Sequence, residues 1–309
     1  MLFRSSYFIN CARGGLIDEI ALKKNLESEH VASAALDVFV EEPPKNNPLL
    51  GTKNLILTPH LGAATAEAQE KVAVQIAEQI SNYLKTGAIS NAVNTFSLTA
   101  KEHSTLKPYL KLANLLGSFA GQLTENPIKS AQVEFEGQTA NINSQPILQT
   151  IIFALLKPTV DSVNLINSFV VAKSKSIEIS SVNHQRESEY QSLIRLIITT
   201  EKQTRSVCGT LFGGEPRIVE IKGIRINAEL SKHNLYISNE DKPGFIRDLS
   251  KILADKNINI ASFHLGRDTA ECKAIALISI DSKIDNDILK KIKTLPLIIQ
   301  AKYLEFNGK

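Results

Sequence analysis

A chain of 309 residues is long enough for two or three domains, each with its own core. Its 43% hydrophobic and 22% charged content is ordinary for globular protein, and a net charge of +3 without basic clusters gives no reason to expect nucleic acid as a partner. Cys11, Cys208 and Cys272 are scattered and lack C-x-x-C spacing, which fits neither a disulfide frame nor a metal site.

They read as free thiols of a reducing, cytoplasmic setting. No apolar run approaches the roughly 20 residues of a membrane span, so no membrane is expected. Asn10 and Arg13 interrupt any secretory signal.

In chain order, Tyr7-Phe8-Ile9-Asn10 predicts a short buried strand. Gly14-Gly15 marks a turn, and Asp18 is placed to cap a helix through about Leu26. Residues 34–39 and 55–57 predict two more strands, so strands alternate with helices as in a parallel sheet with crossovers. Thr65 can cap a long helix on which Val72, Ile76, Ile80 and Tyr83 or Leu84 recur at helical spacing, with Gly87 as its stop.

Residues 91–98 read as a linker. Beyond it, residues 106–123 and 147–156 predict helices. Residues 132–135, 163–166, 168–171, 192–200 and 218–226 alternate or run apolar like strands, giving a mixed α+β middle domain. The last 75 or so residues read strand, helix, strand, strand, helix, strand, which is a ferredoxin-like layer. Pro243 is expected in the first turn of its first helix, where a missing N–H costs nothing, with Ile246, Leu249, Ile252 and Leu253 on one side. The expected domains are residues 1–64, a return helix and linker over 65–98, a middle domain over 99–230, and a terminal domain over 231–309.

The chemistry concentrates early. Arg13 follows a strand and precedes two glycines, so a guanidinium sits where backbone can approach a ligand and where it can grip a carboxylate through two hydrogen bonds. His60 follows Pro59 at a strand end and precedes Gly62, the end at which open α/β sheets bind ligands. Glu42 could steer that imidazole or be a solvated turn carboxylate. Asp37, inside a predicted strand, needs a partner because a buried lone carboxylate is costly.

The runs Asn10-Cys11-Ala12-Arg13-Gly14-Gly15, Ala35-Leu36-Asp37-Val38-Phe39-Val40-Glu41-Glu42-Pro43 and Pro59-His60-Leu61-Gly62-Ala63 together resemble the D-2-hydroxyacid dehydrogenase family. The resemblance continues into its long form. Pro158-Thr159-Val160-Asp161-Ser162-Val163-Asn164 and residues 209–218 are similar to an intervening domain of the allosteric substrate-binding type. Asp241-Lys242-Pro243-Gly244 and residues 257–261 are similar to an ACT domain. The fold implied is a partial Rossmann-like parallel sheet, then a mixed α+β domain, then the ferredoxin-like ACT domain.

That resemblance implies NAD-dependent oxidation of 3-phosphoglycerate to 3-phosphohydroxypyruvate, in L-serine biosynthesis. It implies that Arg13 holds the substrate carboxylate, His60 takes the hydroxyl proton and Glu42 orients the imidazole. Cys11, Ala12, Arg13, Asp37, His60, Leu61, Gly62 and Ala63 would line the nicotinamide side of NAD. Asn239, Asp241 and Asn259 match positions where relatives bind serine between paired ACT domains, in a homo-oligomer.

A G-x-G-x-x-G turn, which holds the pyrophosphate in such enzymes, does not occur: no two of the fifteen glycines are spaced i, i+2. The expectation is a chain truncated at its N-terminus, whose sheet keeps a bare edge and whose chemistry needs a separate N-terminal polypeptide. Two alternatives stand beside it, a non-catalytic serine-sensing or dimerisation module and a non-functional remnant.

Overall fold

Three short strands build the first sheet: β1 (Tyr7–Asn10), β2 (Ser33–Leu36) and β3 (Leu55–Leu57), with helix α1 (Glu19–Glu27) crossing between the first two. They are parallel in the order β1-β2-β3, and Asn10, Leu36 and Leu57 stand side by side at their C-terminal ends. This is a computed structural model, describing residues 6–87, 89–94, 96, 99–184, 189–268 and 272–306. It comprises two units, residues 1–87 and 88–309. Thr95, Ser97 and Leu98 of the expected linker lie outside the described residues.

Asp18 caps α1 as expected, accepting the N–H groups of Ile20 and Ala21 at 3.0 and 2.9 Å. Leu22 and Leu26 of that helix pack with Val31, Ala34, Leu36, Phe39 and Leu49. The opposite sheet face is bare: Tyr7 is 72% exposed and Ile9 76%. Helix α2 (Ala66–Thr86) starts on the Thr65 hydroxyl and ends where Gly87 turns left-handed. It buries none of its residues, and Val72, Ile76, Ile80 and Tyr83 all lie exposed.

The second unit opens with helix α3 (Ala100–Leu123), held at its start by a reciprocal capping box between Thr99 and Glu102. Strand β4 (Ile128–Gly137), helices α4 (Gln145–Leu156) and α5 (Ser168–Ser174), and strands β5 (Glu178–His184), β6 (Ser192–Thr200), β7 (Thr204–Phe212), β8 (Glu215–Ile221) and β9 (Ile224–Ala228) follow. They form one sheet in the order β5-β4-β6-β7-β8-β9. Helices α3 and α4 lie in backbone contact, because Gly117 and Gly121 sit one turn apart on α3. A Cβ on either would come within 2.4 Å of a carbonyl oxygen of α4.

Two expectations fail here. Residues 168–171 form helix, not strand, because Asn164 and Asn167 exchange side-chain–backbone bonds of 2.8 and 2.9 Å that set a turn just ahead. Residues 163–166 belong to that turn. Residues 218–226 are two strands folded back at Lys222 and Gly223, whose positive φ angles of 52° and 80° make a tight hairpin.

The terminal domain runs β10 (His233–Glu240), α6 (Phe245–Ala254), β11 (Ile260–Asp268), β12 (Lys273–Ile280), α7 (Asn286–Lys293) and β13 (Ile298–Glu305), with sheet order β11-β12-β10-β13. Pro243 lies outside α6, not in its first turn, because Gly244 adopts φ 109° at the cap. Phe245, Leu249 and Leu253 form its buried face, while Ile246 is turned outward. The other face of the sheet joins the middle domain's core, with Tyr236 edge-on to Phe119 at 6.0 Å.

Candidate active site

The C-terminal rim of the parallel sheet gathers three loops. From β3 the chain leaves through Thr58 and Pro59 to His60, whose φ of 55° is left-handed. Asp37, the first residue after β2, holds that turn in place. Its carboxylate accepts the Thr58 hydroxyl at 2.6 Å, the Leu61 N–H at 2.8 Å and the Gly62 N–H at 3.1 Å. Those bonds, the Thr58 hydroxyl foremost, lower the Asp37 pKa, so the buried side chain stays ionised. Asp37, expected beside the nicotinamide, thus fixes the histidine turn.

Glu42 reaches His60 directly, with Oε2 at 2.6 Å from Nδ1, while its Oε1 accepts the Phe39 N–H at 3.0 Å. The histidine bond, then the Phe39 N–H, lowers the Glu42 pKa. An ionised carboxylate can only accept, so the proton of that short contact belongs to His60 Nδ1. In the neutral ring that leaves the lone pair on Nε2. The imidazole is also accessible, since the side chain is 43% exposed.

Arg13 stands on the third loop, directly after β1. Asn10 shapes the turn at both ends, accepting the Ala12 N–H at 3.1 Å and donating to the Arg13 carbonyl at 3.0 Å. The guanidinium is exposed and its Nη1 donates to the Ala12 carbonyl at 2.7 Å. Gly14 ties this loop to the Glu42 loop: a Cβ there would fall 1.8 Å from the Phe39 carbonyl oxygen. Arg13, Glu42 and His60 therefore share one rim, linked through Phe39. Cys11 lies exposed beside them.

Two residues of this arrangement escape a reading of the sequence. Thr58 needs Asp37 to give it meaning. Glu19, in the first turn of α1, accepts the Val40 N–H at 2.9 Å and the Asn47 amide at 2.8 Å, so the helix fastens the loop that carries Glu42. An acidic residue in a first helical turn has an ordinary role there, which hides this one.

Asn239, Asp241 and Asn259 are not gathered within one chain. Asn239 is buried opposite Ala274 at one end of β12, and Asp241 is held by Arg267 at 2.7 Å. Asn259 bonds Asp281, past the other end of that strand, at 2.8 Å. Seven residues of strand separate the two places, about 20 Å.

Residues 1–62 match the family described as D-isomer specific 2-hydroxyacid dehydrogenase, NAD binding domain. Residues 105–222 match the D-3-phosphoglycerate dehydrogenase intervening domain, and residues 233–297 the ACT domain. The first part of the chain is thus similar to the D-2-hydroxyacid dehydrogenase family. D-3-phosphoglycerate dehydrogenase of Bacillus subtilis is 38% identical over 300 residues, covering 96% of this chain and 57% of that protein. The enzyme of the same name from Methanocaldococcus jannaschii is 33% identical over 299 residues, with the same coverage of 96% and 57%. The chain thus spans little more than half the length of these relatives. Among the described residues, no helix is long and apolar enough to cross a membrane.

Proposed function

We propose that the chain supplies the acid–base and carboxylate-binding part of an NAD-dependent oxidation of D-3-phosphoglycerate to 3-phosphohydroxypyruvate, the first reaction leading to L-serine. The observation that carries the reading is the 2.6 Å contact of Glu42 with His60 Nδ1, on the rim that also bears Arg13. Arg13 binds the substrate carboxylate. His60 Nε2 accepts the C2 hydroxyl proton, and Glu42, bonded across the ring, stabilises the imidazolium that forms.

The rim fits the nicotinamide end of the coenzyme, because Gly62 presents bare backbone there; a Cβ would meet only Asp37, at 3.6 Å. The chemistry that NAD would supply there is acceptance of the hydride from C2. Cys11, Ala12, Asp37, Leu61 and Ala63 lie in the same loops and belong to the proposed coenzyme contact. The grip on the pyrophosphate lies outside these residues, since this sequence holds no G-x-G-x-x-G turn.

The domain limits follow as residues 1–64, 65–98, 99–230 and 231–309. L-Serine acts as effector between ACT domains of paired chains, where Asn239 and Asp241 of one chain meet Asn259 of the other. The free thiols of Cys11 and Cys272, both exposed, suit the cytoplasm.

The test is a fusion. The N-terminal part of the Bacillus subtilis relative, which this chain does not span, is joined ahead of residue 6. Formation of NADH dependent on 3-phosphoglycerate is expected, and His60→Asn should lower it by about 10²–10⁴-fold. A folded fusion without turnover, or turnover indifferent to that substitution, overturns the proposal.

A further inference from the structure

Residues 37–54, between β2 and β3, form neither helix nor strand, and residues 40–48 run mostly exposed between two buried anchors, Phe39 and Leu49. Glu19 closes this loop. Its Oε1 accepts the Val40 N–H at 2.9 Å at one end, and its Oε2 accepts the Asn47 amide at 2.8 Å at the other. The Asn47 Oδ1 in turn accepts the Leu49 N–H at 2.9 Å, and the Leu49 side chain is fully buried. Asp18 already caps α1, which leaves Glu19 available to the loop. Successive N–H groups are thereby divided between two carboxylates, Phe39 to Glu42 and Val40 to Glu19.

The Phe39 bond alone ties Glu42 to its own loop, three residues back, and does not fix where that loop stands relative to β3. That placement decides which ring nitrogen of His60 carries the proton. With the Glu42 Oε2 at 2.6 Å, Nδ1 must be the donor. Were the carboxylate to withdraw beyond about 3.2 Å, the bond would be lost and neither tautomer would be held. The other partner is already fixed, because Asp37 holds the turn of His60 through Thr58, Leu61 and Gly62. Glu19 and Asn47 do for the Glu42 loop what Asp37 does for the histidine turn.

We propose that Glu19 and Asn47 are positioning residues that set the tautomer of His60: their mutual bond keeps Glu42 within reach of Nδ1 and so leaves Nε2 free to accept a proton. Neither residue touches substrate or coenzyme. The role rests on the acid–base reading of His60 given above, while the tautomer itself is a property of this chain with nothing bound.

Proton–nitrogen correlation NMR of the imidazole rings in the full chain, at about pH 8 where an ordinary imidazole is neutral, reads the tautomer directly. The His60 proton is expected on Nδ1. Asn47→Asp sets a second carboxylate against Glu19. Glu19→Gln turns an amide donor toward the Asn47 amide, whose oxygen is already taken by Leu49. Each should move the proton in part to Nε2, Asn47→Asp further. The double variant Glu19→Gln/Asn47→Asp exchanges donor for acceptor across the same contact and should restore the Nδ1 form. All three variants are close to isosteric, and backbone amide spectra report whether residues 6–87 stay folded. Residues that only stabilised α1 or the loop would lower the Tm in the single variants and leave the tautomer where it was. An unchanged tautomer in both single variants overturns the proposal, as does a folded double variant that stays mixed. In the fusion described above, each single variant should lower kcat about tenfold with KM little changed, and kcat indifferent to a shifted tautomer also overturns the positioning role. A fusion with no turnover at all would instead remove the oxidation and leave the tautomer result standing.

Discussion

The two units of this chain are held together by different means. Residues 88–309 bury two connected cores: α3 and α4 in backbone contact over a six-stranded sheet, and a second sheet covered on both faces. Residues 1–87 have a single small core on one side of three short strands, while α2 and the other sheet face stay in contact with solvent. The chemically equipped rim belongs to the thinner unit. Its geometry rests on hydrogen bonds to carboxylates, through Asp37, Glu42 and Glu19, more than on buried apolar area. Precision at a site and stability of a fold are thus supplied separately here.

Three experiments press on that contrast. The largest effect should come from the denser unit: Ile151→Ala, at a fully buried position of α4 packed on α3, should cost about 2–5 kcal/mol in urea unfolding. A loss below about 1 kcal/mol would mean that the α3–α4 contact is not the mainstay it looks to be.

Acid should act on the thinner unit first. Asp37 and Glu42 have folded pKa values depressed below those of the unfolded chain. Their contribution is therefore complete above the ordinary carboxylate range, near pH 4, and is lost as pH falls through the depressed folded values. Amide exchange at Leu61 and Gly62 should accelerate on acidification, beyond the intrinsic pH effect, before amides of α4 respond. Simultaneous loss in both units would dissolve the distinction.

The smallest effect is expected at α2. Ile76→Ser, at a helix position 49% exposed, should change the stability of the isolated chain by no more than about 0.5 kcal/mol. In the fusion with an N-terminal polypeptide the same change should cost more, which marks that helix face as a contact supplied from outside. Equal effects in both proteins would remove that interpretation.

Local residue choice made much of this legible beforehand. Asp18 and Thr65 cap the helices that their positions predict, and Gly87 ends the second. The βαββαβ order of the last domain follows from alternation and turn residues. Where local signals were weak, prediction failed: Ser168-Phe169-Val170-Val171 is too short to distinguish strand from helix, and a pair of asparagines outside the window decided it. Gly244 moved the start of α6 past Pro243 for a similarly local reason, one backbone angle.

The sequence by itself determined which residue types were available at each strand end: a guanidinium, a glutamate, an imidazole. Spacing along a chain carries no distance across a sheet, so that Glu42 stands 2.6 Å from His60 was settled only by the parallel register of β1, β2 and β3. Tertiary structure likewise assigned Asp37 to the histidine turn, joined Glu19 to the Glu42 loop and closed that loop through Asn47. The physical reason is common to all three. A polar group's role depends on which donors, acceptors and charges the folded chain brings within a few ångströms, and those neighbours lie 21 to 28 residues away in sequence.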